Sequence, residues 1–191
     1  MSLEKLRTSL ENTRIIKKGT YSYVVHPITD GIPEVQPELL SEIIQEMKQY
    51  IQPFLPTDKI VTMEAMGIPL ATALSLELQV PYTIIRKRSY HLPEELRVQQ
   101  QTGYSTSTFF INGIQPKDSV IIVDDVLSTG GTLLSIIRAM QSLKIEIKTA
   151  VIVIEKGQVA QDITKKTGVP IKSLVQIDVE KNQVVIQEES I

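Results

Sequence analysis

The sequence predicts an α/β fold, a parallel twisted sheet with helices on both faces. Three observations predict it. Apolar runs suited to buried strands recur near 59–63, 81–86, 119–123 and 145–154. Helical patterns alternate with them, as in βαβ units. Each run ends in a charged or glycine-bearing turn, and in such sheets ligands gather beyond the carboxyl ends of the strands.

Taken in order, residues 1–15 suit a short helix with Leu3, Leu6 and Leu10 on one side. Residues 20–36, with Pro27, Gly31 and Pro33, read as irregular apart from a short strand at Tyr21–Val25. Pro37–Ile51 repeats Leu39, Leu40, Ile43, Ile44, Met47 and Ile51 at helical spacing, and Pro53 and Pro56 stop it. A strand at Lys59–Met63 leads through Glu64-Ala65-Met66-Gly67 into a helix ending at Leu78. A second strand spans Pro81–Arg86 and runs into a charged loop. The segment 87–114 is too long for an ordinary connection and reads as a flap or an antiparallel hairpin. A strand over 119–123 precedes a helix near 131–143, and a further strand covers 145–154. Two short strands, near 173–179 and 183–187, turn at Glu180-Lys181-Asn182.

At 191 residues the chain suffices for one well-cored α/β domain, 1–191. A net charge of −2 offers no basic field for nucleic acid or an anionic membrane. The absence of cysteine excludes disulfides, thiolate catalysis and zinc–cysteine sites. His26 and His91 lie far apart in sequence, which argues against a histidine-rich metal site. No apolar run approaches the roughly 20 residues of a membrane helix. Met1-Ser2-Leu3-Glu4-Lys5 lacks the apolar core of a secretory signal, so a cytoplasmic protein is expected.

The most informative stretch is Val120–Thr132, VIIVDDVLSTGGT. Gly130 and Gly131 let the backbone curl and turn N–H groups toward an anion, and the next helix aims its positive end at the same spot. Ser128, Thr129 and Thr132 add hydroxyl donors. Asp124 and Asp125 follow a buried apolar run; two carboxylates at about 4 Å repel by about 4 kcal/mol at an effective dielectric of 20. Sugar hydroxyls or a nearby Mg²⁺ would offset that. The two halves together suit a phosphorylated sugar. No Gly-x-x-x-x-Gly-Lys-Ser/Thr is present, so a nucleoside-triphosphate P-loop is not supported.

Val120–Thr132 resembles the ribose-5-phosphate motif of the type I phosphoribosyltransferases, and the resemblance spans roughly 20–160. That family moves phosphoribosyl from PRPP (5-phosphoribosyl 1-diphosphate) to a nitrogen base. The resemblance implies that Asp124 and Asp125 hold the ribose hydroxyls and that Ser128–Thr132 hold the 5′-phosphate. Glu64-Ala65-Met66-Gly67 is similar to the pyrophosphate loop of the adenine branch, although Met66 stands where arginine is common. In this family that loop often carries a strained or cis peptide. Arg86 and Lys87 would neutralise charge as the C1′–O bond breaks; alone they read rather as a solvated basic turn, and the neighbouring loops at the same sheet edge favour the functional reading. The segment 92–108 is similar to the family's flexible catalytic loop, with Tyr104 and Ser105 as candidate contacts. The implied fold adds a hood near 15–36 and a flexible loop near 88–108, and the implied assembly is a homodimer. Mg²⁺ is implied as a cofactor held mainly through PRPP and water, with no certain protein ligand.

The base is read from Lys156, which matches a lysine that donates to purine O6 in members using 6-oxopurines. An ammonium is a donor only, so adenine's amino group would leave it unpaired. A surface lysine on a turn is the plainer alternative. Tyr21 or Tyr23 and Ile28 are candidate stacking groups in the hood, with a core role as the alternative. Hypoxanthine–guanine enzymes of bacteria and eukaryotes carry an aspartate where Ser128 stands, so that general base is missing here. With Lys17-Lys18-Gly19, His26–Gly31 and Tyr90-His91-Leu92-Pro93, the whole pattern most resembles the archaeal-type hypoxanthine/guanine branch. The expected reaction is purine salvage to IMP and GMP. An adenine-specific enzyme of the same architecture is the main rival. A PRPP-sensing regulator is another, although no helix-turn-helix is evident.

Overall fold

The computed structural model describes residues 3–19, 21–101 and 106–187; Tyr104 and Ser105 lie outside them. Helix α1 (Glu4–Glu11) is followed by a hairpin of β1 (Arg14–Lys18) and β2 (Tyr21–Val25), a short helix α2 (Pro27–Asp30), and α3 (Pro37–Ile51). Then come β3 (Lys59–Met63), α4 (Gly67–Leu78) and β4 (Tyr82–Ile85). A second hairpin, β5 (Leu96–Gln101) and β6 (Thr106–Ile111), precedes β7 (Ser119–Leu127), α5 (Gly131–Ser142) and β8 (Glu146–Lys156). The described chain closes with α6 (Val159–Thr167), β9 (Ile171–Glu180) and β10 (Gln183–Gln187).

The main sheet runs β10-β9-β8-β7-β3-β4. All its pairings are parallel except β10 on β9. Side-chain alternation along β7 and β8 splits the core in two. Ile121, Val123, Val151 and Val153 pack with α1, α3 and α4. Val120, Ile122, Ala150 and Ile152 pack with α5, α6 and the β5–β6 hairpin. Both faces of the central strands are thereby covered, which is why 119–123 and 145–154 read as nearly continuous apolar runs.

The helices at Pro37–Ile51 and Gly67–Leu78 and the strand Lys59–Met63 stand where periodicity predicts them, and the 87–114 segment contains a hairpin. Four differences have physical causes. The first helix stops at Glu11, and Arg14–Lys18 pairs with Tyr21–Val25, a tertiary partner that local spacing cannot reveal. Strands β7 and β8 continue past Val123 and Ile154, because Asp124 pairs with Ile152 and Leu127 with Glu155. Helix α2 is too short to show a period. Helix α6, closed by left-handed Gly168, was also not anticipated.

Helix α1 has Leu3 at its N-cap, with no side-chain hydrogen bond there. The Glu42 carboxylate of α3 fills the role, accepting from the Lys5 and Leu6 N–H groups at 3.0 and 2.9 Å. Glu42→Ala is expected to cost about 1 kcal/mol, as loss of a cap does. A lowered thermal midpoint with unchanged catalysis is the expected measurement.

Candidate active site

A cavity of about 460 Å³ opens beyond the carboxyl ends of β3 and β7. Glu64, Ala65, Met66, Lys87, Asp124 and Asp125 line one part of it, and Ser128, Thr129, Gly130 and Thr132 line another. The structure therefore brings three separately read segments to one space.

Asp124 and Asp125 sit within β7, not in a loop after it, and both are buried. Burial, and then the Asp125 charge, push Asp124 well above the usual carboxylate range. Burial likewise pushes Asp125 up to about 6. Burial of two adjacent acids thus favours their protonated forms until donors or cations reach them.

Gly130 caps α5 with φ 73°, a left-handed conformation that suits glycine. A Cβ there would lie 2.4 Å from Val159 Cγ1 and 2.8 Å from Ile163 Cδ1, so α6 packs directly against the loop. The Ser128–Thr132 turn then opens onto the N-terminus of a twelve-residue helix, the geometry that favours an anion. Gly131 is the first residue of α5 and is not among the residues lining the cavity.

Gly67 starts α4, also off the cavity wall, and has a different reason to be glycine. A Cβ there would fall 2.1 Å from Thr62 Oγ1 and 2.7 Å from Asp124 Oδ1. The Glu64–Ala65 peptide is cis. The Glu64 carboxylate faces away from an anion role: it accepts from Arg86 Nη1 at 3.2 Å and from the Lys87 N–H at 2.7 Å. Arg86 thus pairs with Glu64 and is not on the cavity wall, whereas Lys87 is. Arg86 also exchanges both backbone hydrogen bonds with Phe110, at 2.9 and 2.7 Å. That bridge fixes the second hairpin so that Ser107 and Phe109 reach the cavity. At its root the Glu95 carboxylate accepts from Asn112 and Ser89 and from the Tyr90 N–H, and these bonds hold it down at about 2.

The candidate stacking residues Tyr23 and Ile28 stand apart from this cavity. Ile28 is 2% exposed and packs in the core with α1 and α3, so in this arrangement it presents no stacking face. Its place follows from His26, whose Nδ1 accepts the Ile28 N–H and whose Nε2 meets Ser9 Oγ at 2.8 Å. Burial pulls His26 down to about 4, against the raising effect of Asp30, so it stays neutral. Tyr23 is exposed, opposite Ile16 on the β1–β2 hairpin, and does not line the cavity. Lys156, the last residue of β8, donates from Nζ to the Ser22 carbonyl at 2.6 Å and ties the main sheet to that hairpin.

Thr29 and Val126 are among the wall residues that the sequence reading did not single out. Thr29 lines the cavity from α2, within a motif quoted above only as a resemblance. Val126 is 39% exposed in an otherwise buried strand and also lines the cavity. An apolar residue amid apolar neighbours carries no signal of that kind in sequence.

A mostly parallel sheet whose strand ends bring a buried carboxylate pair beside the N-terminus of α5, next to the β5–β6 hairpin, frames this cavity. The phosphoribosyl transferase domain family matches residues 34–188, and the chain belongs to that family. Among curated relatives, the hypoxanthine/guanine phosphoribosyltransferase of Methanocaldococcus infernus is 52% identical over 96% of this chain and 100% of its own length. Those of Ferroglobus placidus and Methanothermobacter thermautotrophicus are 50% and 44% identical, covering 96% and 97% of this chain and 97% and 95% of theirs. Among solved structures, the adenine phosphoribosyltransferase of Saccharomyces cerevisiae, complexed with an imino-altritol bisphosphate and adenine, superposes with a TM-score of 0.73 at 22% identity. It covers 90% of this chain and 97% of that one, and shares the fold. The Rhodothermus marinus adenine enzyme gives 0.71 at 26% identity, over 91% and 97% of the two chains.

Proposed function

We propose that this protein is a purine-salvage enzyme that transfers phosphoribosyl from PRPP to hypoxanthine or guanine, making IMP or GMP and pyrophosphate. The observation that carries the reading is the shared cavity: the carboxylate pair, the Ser128–Thr132 turn, the Glu64–Met66 loop and Lys87 all border it. The choice of base is supported by the curated relatives and by Lys156, an ammonium already engaged with a carbonyl oxygen. A purine O6 offers the same acceptor chemistry as the Ser22 carbonyl.

On this reading the 5′-phosphate sits at the start of α5, and the ribose hydroxyls donate to Asp124 and Asp125. Purine N9 attacks C1′ from the face opposite the pyrophosphate. The C1′–O bond breaks and its electron pair leaves with pyrophosphate, past Lys87 and the Glu64–Met66 backbone. The N9 proton passes to solvent, since Ser128 offers no base there. The cavity wall presents carboxylate and hydroxyl oxygens, donors that suit Mg²⁺. Mg²⁺ carried on PRPP oxygens and water would neutralise charge on the leaving group when bound. Closure of the 88–108 segment would exclude water from the cation-like state. A cytoplasmic homodimer, with 1–191 as one phosphoribosyltransferase domain and 15–36 as its hood, belongs to the same proposal.

Turnover of hypoxanthine, guanine, xanthine and adenine with PRPP and Mg²⁺ tests it. Hypoxanthine and guanine are expected to exceed adenine by at least about 10²-fold in kcat/KM. A preference for adenine would transfer the assignment to the rival enzyme of the same fold.

A further inference from the structure

We infer that Thr62 is a positioning residue for substrate binding: its hydroxyl is the donor that holds Asp124 once that side chain faces the sugar. Thr62 is fully buried in β3, and its Oγ1 has no hydrogen-bond partner among the described residues. A buried hydroxyl without a partner is a cost that an isosteric valine, well suited to a strand, would avoid. The position therefore needs a reason that its packing does not supply.

Gly67 supplies the geometry. The point where its side-chain carbon would stand lies 2.1 Å from Thr62 Oγ1 and 2.7 Å from Asp124 Oδ1. The two oxygens face one space that only a glycine at the start of α4 keeps open. Asp124 is buried beside these atoms, and a charged carboxylate there needs donors beyond the sugar hydroxyls it would hold. Thr62 has one freely rotating O–H to give, and a hydroxyl donating to a charged carboxylate makes a short, strong bond. The other charged groups around the pair are Asp30, Glu64 and Lys87. The two acids are not donors, and on the proposed reaction Lys87 serves the leaving group.

The inference rests on the phosphoribosyl-transfer reading, and Thr62→Val with Thr62→Ser separates the two. Calorimetric binding of Mg²⁺–PRPP, KM and kcat, and thermal midpoints are measured for both variants and the wild type. Thr62→Val is expected to weaken PRPP binding and raise its KM about tenfold, the weight of a hydrogen bond to a charged group. The KM for the base should stay unchanged and the midpoint equal or higher. Thr62→Ser, which keeps the hydroxyl, should return PRPP binding to about the wild-type level. Thr62→Val binding PRPP as the wild type does would overturn the role of Thr62 and leave the reaction standing. So would an equal loss in both variants with lowered midpoints, which marks packing alone. A wild type that binds no PRPP overturns both readings.

Discussion

The double variant Asp124→Asn, Asp125→Asn is expected to lose turnover by about 10²–10⁴-fold while its fold becomes more stable. The loss follows from removing two charged acceptors of ribose hydroxyls, each hydrogen bond being worth about 1.5–3 kcal/mol. The gain follows from burial. Both carboxyls titrate above their ordinary range in the folded protein, Asp125 at about 6. In the unfolded chain they ionise near pH 4. Between these limits the folded state holds protons that the unfolded state has released, so stability falls as pH rises through that window. Above it the folded protein carries the full cost of buried charge. Asparagine does not ionise, so at pH 7 the variant should be more stable by about 1–3 kcal/mol. The advantage should vanish below about pH 4, where wild-type aspartates are neutral in both states. Chemical denaturation at pH 4 and pH 7, beside a PRPP turnover assay, checks both halves. Undiminished activity would remove the pair from the site, and an unchanged pH dependence would remove the explanation by burial.

Replacing Lys156 by alanine is expected to lower kcat/KM for hypoxanthine and guanine by about 10²–10³-fold, with adenine unaffected or improved. The ammonium is already half-desolvated against the Ser22 carbonyl, so a 6-oxo group can take over an existing alignment without creating one. Adenine gains because its amino group no longer meets a donor. The same bond joins β8 to the β1–β2 hairpin, so the variant should also melt at a lower temperature, by an amount corresponding to about 1 kcal/mol. Steady-state kinetics on the three bases separates the roles. An equal fall for every base would make Lys156 a tether of the hairpin only.

These expectations depend on contacts of very different legibility. Pro37–Ile51 and Lys59–Met63 were readable because spacing of apolar residues is a local property that directly reflects which face is buried. Val120–Thr132 was readable because apolar strand, acids, hydroxyls and glycines follow one another without a gap. Gly67 and Gly130 are different. Each was read as part of an anion loop, yet the strongest steric reason for each lies elsewhere: Thr62 and Asp124 for one, Val159 and Ile163 of α6 for the other. Arg86 read as a cation for the substrate and is paired with Glu64. Ile28 read as a candidate for the base and is drawn into the core by the His26 cap of α2.

The sequence by itself determined the alternation of the central strands and helices, the loops that end the strands, and the succession of an acidic dyad and a glycine- and hydroxyl-rich turn. Those follow from composition and spacing within a dozen residues. Only the tertiary structure decided which loop residues face the cavity, that Asp124 and Asp125 are buried deeply enough to disfavour their charge, and that Lys156 meets the Ser22 carbonyl. Such properties depend on what approaches from distant parts of the chain, where burial changes the energy of a charge and a missing Cβ decides whether two oxygens can share one space.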